Sequence, residues 1–150
     1  MIHTTYLQIR LVSSKKEKQE ALAFRQKHFF DQRGFPDPYA WTLEGKDHLH
    51  WLLYDNGKVI GYAQVQIWPN DRAALRLIII DESVQGHGMG KYLMDFCEQA
   101  LKQRSIKLLQ TEASPNAYPF YQKLGYIEMP FNSPDGEPTH SNDRGMGKYL

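Results

Sequence analysis

Two hydrophobic periods alternate along this chain, and the places where one gives way to the other predict its elements. Residues 6–12 alternate as a first strand. Ser14, with Glu17 three residues later, forms a capping box for a helix that runs to about Phe30 and turns Ala21, Leu22, Phe24 and Phe29 inward. Arg25 and His28 border that stripe and read as helix-surface or rim residues. From Asp31 to Asp47 no period survives. Glycine, proline and the aromatics Phe35, Tyr39 and Trp41 predict a loop, and one this long and aromatic points to substrate contact or to cover for a core edge. Residues 48–54 and 59–68 are β-rich and flank Asp55-Asn56-Gly57-Lys58, a strong hairpin signal. His48 and His50 share one strand face without a third metal ligand at suitable spacing, so they read as strand-edge histidines, and no metal is expected. Residues 73–80 form a fourth strand. After a glycine-rich turn, Met89, Leu93, Phe96, Cys97, Ala100 and Leu101 recur at helical spacing. Residues 106–111 are the fifth strand, parallel to the fourth because a helical crossover joins them. Pro115 opens a short helix over 116–124 that Gly125 stops, and a strand follows over 126–131. Residues 132–144 read as loop, with 145–150 returning as a last strand. The hexapeptide GMGKYL occurs at Gly88 and again at Gly145, with no other similarity around it, and reads as coincidence rather than an internal repeat.

Composition narrows the class. A chain of 150 residues with 41% hydrophobic and 13% aromatic content forms one domain, residues 1–150, with a single core. Eighteen basic and seventeen acidic residues leave a net charge of +1 without like-charged blocks, which argues against a nucleic-acid or membrane surface and for a small partner. Cys97 is the sole cysteine, so an internal disulfide and a cysteine-rich zinc site are excluded. No apolar run is long enough for a membrane span, and MIHTTYLQIR lacks the apolar centre of a signal peptide; the cytoplasm is the expected compartment.

The most informative stretch is 78–101, IIIDESVQGHGMGKYLMDFCEQAL, which reads as strand, glycine turn and helix. Glycines let a ligand approach the main chain closely. The first helical turn adds unpaired N–H groups and the positive end of the helix dipole, so a phosphate or pyrophosphate is the expected occupant. The spacing is not that of a Walker A loop, because only three residues separate Gly86 from Gly90-Lys91 and Tyr92 follows. A dinucleotide fingerprint fails on glycine order and chain position, although Glu112 lies at the distance of its acidic residue.

Gln85-Gly86-His87-Gly88-Met89-Gly90 reads QxxGxG between strand and helix. It resembles the acyl-CoA pyrophosphate loop of the GNAT superfamily of N-acetyltransferases. About thirty residues on, Asn116-Ala117-Tyr118-Pro119-Phe120-Tyr121-Gln122-Lys123-Leu124-Gly125-Tyr126 resembles that superfamily's closing FYxKxGF signature. The resemblance covers roughly residues 52–131. Phe29-Phe30-Asp31-Gln32 and Gly136-Glu137-Pro138-Thr139-His140 are similar to the F-x-x-x-Q and G-x-P-H patterns of the ElaA-like branch, with Thr139 as an insertion in the latter.

The resemblance implies an α/β fold: a mixed, mainly antiparallel sheet flanked by helices, with acyl-CoA between parallel strands four and five. It implies acetyl transfer from acetyl-CoA, a co-substrate, to a primary amine by direct attack. Main-chain groups of Ile78, Ile79 and Ile80 would bond the pantetheine arm, with Ile80 also serving the oxyanion. The loop Gln85, Gly86, His87, Gly88, Met89 and Gly90 would hold the pyrophosphate. Lys91 would add charge there or stay solvated, and Asn116 would bond the CoA arm or cap its helix. Tyr121 matches the general acid, with Tyr118 one turn earlier as the alternative donor. An alkylamine is protonated near neutral pH and needs a base; Glu112 is the first candidate and His140 the second, while Asp81 and Glu82 read as solvated. The partners implied are acetyl-CoA and an amine on a small molecule or protein, with a homodimer left open. A non-catalytic acyl-CoA-binding domain and a nucleotide-binding module remain as competing readings.

Overall fold

The computed structural model describes residues 6–150. Ser14 accepts from the Glu17 amide at 3.0 Å while the Glu17 carboxylate accepts from the Ser13 and Ser14 amides, so the expected capping box starts α1 (Lys15–Arg25). The same carboxylate binds Arg10 of β1 (Leu7–Leu11) at 2.7 Å. The helix runs past its predicted end. A π-helical turn, Gln26–Phe30, leads into α2 (Asp31–Arg33), and Gly34 stops it at φ 80°. A 3-10 turn, Ala40–Glu44, lies inside the segment expected to be loop. β2 (His48–Asp55) and β3 (Lys58–Trp68) form the predicted hairpin, with Asn56 at φ 50° and Gly57 at φ 83°, the pair of left-handed residues a type I′ turn requires. β4 (Arg72–Ile80), α3 (Met89–Gln103) and β5 (Leu108–Ala113) follow as a parallel crossover.

α4 begins at Tyr118, not at Pro115, and spans Tyr118–Lys123 with Pro119 in its first turn. The strand expected over 126–131 shrinks to β6 (Ile127–Glu128): Tyr126 at its start is buried with its hydroxyl bonded to Glu98 at 2.8 Å, and Pro130 beyond it has no amide to continue the ladder. The last strand, β7 (Arg144–Tyr149), enters between β5 and β6, giving the order β1-β2-β3-β4-β5-β7-β6 in which only β4 and β5 are parallel. Cβ atoms at Gly145 and Gly147 would collide with Met129 and Phe131, so glycine is what admits this strand. Helices cover both faces. α3 buries Leu93, Met94, Cys97 and Leu101 against Trp51, Leu53, Ala63 and Leu75, while α1 buries Ala21 and Phe24 against Leu52, Tyr54, Tyr62 and Ile79 on the other side. No helix among the described residues is long and apolar enough to cross a membrane.

A candidate active site where β4 and β5 part

β4 and β5 pair only from Arg72↔Leu108 to Leu75↔Thr111. At that point β4 takes a bulge at Arg76, between the partners Val65↔Leu75 and Gln64↔Leu77, and the two strands part. The rest of β4 stays paired to β3 alone, and its antiparallel ladder fixes which groups remain open. Asp81 N donates to Ile60 O at 2.9 Å, so the same alternation bonds Ile79 to Tyr62 and turns the peptide groups of Ile78 and Ile80 towards the gap. The gap is a cleft of about 830 Å³ whose lining includes Ile78, Ile80, Gln85, Gly86, Gly88, Met89, Gly90 and Lys91 on one side and Thr111, Glu112, Phe120 and Tyr121 on the other.

At the glycine turn, Gly86 and Gly88 have φ of 82° and 81°, and a Cβ on either would meet nothing within 4 Å. The main chain there is thus presented bare to solvent. Gly88 is the N-cap of α3 and supplies no side-chain cap, so the first-turn amides of a fifteen-residue helix are open to an anion. Gly90 has a different duty: a Cβ would stand 3.0 Å from the Phe120 ring, so glycine lets α4 pack on α3. These features fit an acyl-CoA, with phosphate at the helix start and an amide-bearing arm along the open edge of β4.

Several expected contacts are already engaged. The Gln85 side chain donates to Ile80 O at 2.9 Å and thereby occupies that carbonyl. Lys91 pairs with Asp95 at 2.7 Å on the helix surface. Ile79 directs its side chain into the α1-side core. His87 and Asn116 are exposed and do not line the cleft, and Asn116 does not cap α4, whose N-cap is Ala117.

Tyr121 is 6% exposed, and its ring stands 5.2 Å from that of Phe120 and 5.6 Å from that of Tyr126. Burial pushes its phenol up to about 12, partly offset by the Thr111 hydroxyl. Tyr118 does not line the cleft; its ring lies 5.8 Å from the Arg144 guanidinium. Glu112 does line it, and one carboxylate oxygen accepts from the His140 amide at 3.3 Å. The structure brings these two residues together through the His140 main chain; the imidazole is exposed and off the cleft. Leu109 and Ala113 of β5 face α3, and Thr111 faces Tyr121. Strand alternation therefore puts Gln110 and Glu112 on the opposite, α1 side. Tyr121 and Glu112 address the parting of the strands from opposite faces of the sheet.

A family comparison decides how this geometry is classified: the chain matches the Acetyltransferase (GNAT) family over residues 16–126. It belongs to that family. Among GNAT relatives, a provisionally assigned acetyltransferase of Bacillus subtilis (strain 168) is 28% identical over 125 residues, covering 80% of this chain and 83% of that one. Similar in fold are a provisionally assigned N-acetyltransferase from Lactobacillus plantarum, with TM-score 0.78, 22% identity and coverage of 96% and 98%, and PaiA N-acetyltransferase from Thermoplasma acidophilum in complex with coenzyme A, with TM-score 0.73, 16% identity and coverage of 97% and 99%. The narrower ElaA-like assignment gains nothing from these matches.

The structure also exposes polar residues that the sequence hid. Arg25, expected on the surface, is 1% exposed. Its Nε and Nη2 donate to Asp37 at 2.7 and 3.0 Å, and Nη1 donates to Tyr62 at 2.8 Å and to Gln64 at 2.7 Å. Burial works against the cation, but Asp37 and Tyr62 outweigh it and Arg25 stays charged; likewise Asp37 titrates low despite burial because Arg25 holds it. Tyr62 O–H then donates to His50 Nδ1 at 2.6 Å, which leaves Nε2–H to donate to the Thr42 carbonyl at 3.0 Å. His50 is thus buried and neutral rather than a strand-edge residue, and burial holds it down to about 4. The Gln64 side-chain amide donates a hydrogen bond to His48 Nδ1 in the same way at 3.1 Å. Among the described residues no group of three or more metal donors forms. An arginine beside an apolar stripe looks the same in sequence whether or not a carboxylate twelve residues on returns to it.

Proposed function

We propose that this protein is an acetyl-CoA-dependent N-acetyltransferase whose acceptor is a primary amine that attacks the thioester directly. The observation that carries this reading is the opposition of Glu112 and Tyr121 across the parting of β4 and β5, with the glycine turn and the open edge of β4 beside them. The helix start and the bare glycine amides take the pyrophosphate, and the Ile78 peptide groups take a pantetheine amide. Glu112, directly or through water, takes the proton from the amine. The nitrogen then bonds the carbonyl carbon, with the Ile80 N–H facing the oxygen as charge builds on it. The C–S bond breaks as the oxyanion collapses, the Tyr121 hydroxyl gives its proton to sulfur, and the second proton of the attacking nitrogen returns through water to restore the phenol.

A phenol at about 12 is a weaker acid than an ordinary thiol, which titrates about 8.5. The desolvation that raises Tyr121 raises any thiolate lying against it as well, as burial does to the Cys97 thiol, so the mismatch inside the cleft is smaller than in water. The test is a panel of primary amines with acetyl-CoA and detection of released thiol. Thiol release with one class of amine is expected. Stabilisation by CoA without thiol release from any amine refutes turnover and leaves a CoA-binding domain.

A further inference from the structure

Resting on that reading, we infer that the acceptor carries an anionic group, a carboxylate or phosphate, held by Arg76. This residue is the bulge of β4 where the strands part. It shares the α1-side face with Ala74, Trp68 and Phe131, and so with Glu112 rather than with Tyr121. The guanidinium is held in one orientation. Its Nε and Nη2 both donate to Gln66 Oε1, at 2.9 and 2.7 Å, and its carbon stands 5.6 Å from the ring centres of both Trp68 and Phe131. Among the described residues no carboxylate lies within 4.0 Å of it, and Nη1 makes no hydrogen bond. Asp135 feels the Arg76 charge weakly but forms no ion pair with it, and its Oδ1 accepts from the Ser133 hydroxyl and the Glu137 amide.

A cation fixed by a neutral amide and two rings, lining a cleft without its own counter-ion, is built to meet an anion that arrives. That anion is not the pyrophosphate. Four residues of strand, about 13 Å, separate Arg76 from Ile80 and the glycine turn. Glu112 would face the amine while Arg76 holds the acid, so a zwitterionic acceptor spans the α1-side mouth. Arg33, the other arginine of the cleft, instead lies flat over Phe29 at 3.5 Å and donates to that residue's carbonyl at 3.0 Å, within its own exposed helix end.

The experiment uses matched amines: L-phenylalanine against phenethylamine, and glucosamine 6-phosphate against glucosamine, with thiol release followed in the intact protein. The wild type should favour the anionic member of at least one pair by about tenfold or more in kcat/KM, the scale of one charge-assisted interaction. The pair that responds identifies carboxylate or phosphate. Arg76→Gln should remove that preference through KM, Arg76→Lys should restore part of it, and the acetyl-CoA thermal shift should be the same in all three. Preference for neutral amines, or equal losses on both members in Arg76→Gln, overturns the inference and leaves the acetyltransferase reading intact. If no amine of either kind releases thiol, both fall together.

Discussion

The Arg25–Asp37 pair gives the sharpest energetic test, because both charges are out of water, with side chains 1% and 6% exposed. In Asp37→Ala the cation keeps its bonds to Tyr62 and Gln64 but loses both charged acceptors, leaving Nε and Nη2 unpaired in the interior. Breaking one side of a buried pair costs roughly 3–5 kcal/mol. At roughly 2–4 °C per kcal/mol for a chain of this size, the melting temperature should fall by about 6–20 °C. Asp37 also accepts from the Tyr39 amide at 2.8 Å, so the segment bearing Phe35, Tyr39 and Trp41 loses one of its anchors in the same step. The double replacement Arg25→Met/Asp37→Leu removes both charges and should be the more stable variant, since apolar substitution of a whole buried pair is often close to neutral. Urea unfolding of wild type, both single variants and the double variant measures the coupling. A cost under about 1 kcal/mol for Asp37→Ala, typical of a solvated ion pair, would refute the reasoning, as would a double variant no more stable than Asp37→Ala. Acetyl-CoA should still stabilise Asp37→Ala, because the pair anchors on β3 rather than on the β4–β5 cleft.

Three further outcomes are expected. His50, held at about 4 when folded against an ordinary 6.5, takes up its proton mainly on unfolding, so stability should fall as pH drops from about 6.5 towards 4, by up to about 1.4 kcal/mol per pH unit, with the likewise depressed His48 adding to it; urea titrations across that range would show a flat profile if both imidazoles were solvated. Tyr121→Phe should keep acetyl-CoA affinity yet slow thioester cleavage by roughly a hundredfold. Because the phenol stands at about 12, no rate limb near pH 10 should come from it, and equal rates for both proteins under chemistry-limited conditions would reduce Tyr121 to packing. Gly88→Asp puts a carboxylate and a strained left-handed residue at the start of α3, and should abolish the thermal shift by acetyl-CoA; an unchanged shift would remove the phosphate site from this turn.

Local chemistry determined a good deal of this protein. The Ser14 and Glu17 cap, the Asn56-Gly57 turn, the apolar period of α3 and the QxxGxG spacing act through neighbours a few residues away, so they can be read directly and the family with them. What depends on distant partners could not be read. Arg25 is a rim residue by its neighbours and a buried cation by its fold, because Asp37, Tyr62 and Gln64 converge on it from other elements. Arg76 offered a weak signal, one charge breaking the apolar run of β4, but its lack of a counter-ion emerged only once the bulge, Gln66 and the two rings were in place. The repeated hexapeptide GMGKYL states the limit most directly. From Gly88 it opens α3, after a left-handed glycine and ahead of an apolar period that continues for two more turns. From Gly145 the first five of the same residues lie in β7, with Met146 buried and the glycines leaving room for Met129 and Phe131. Six residues do not carry enough local free energy to choose a helix over a strand; the sheet positions on either side of β7 decide it.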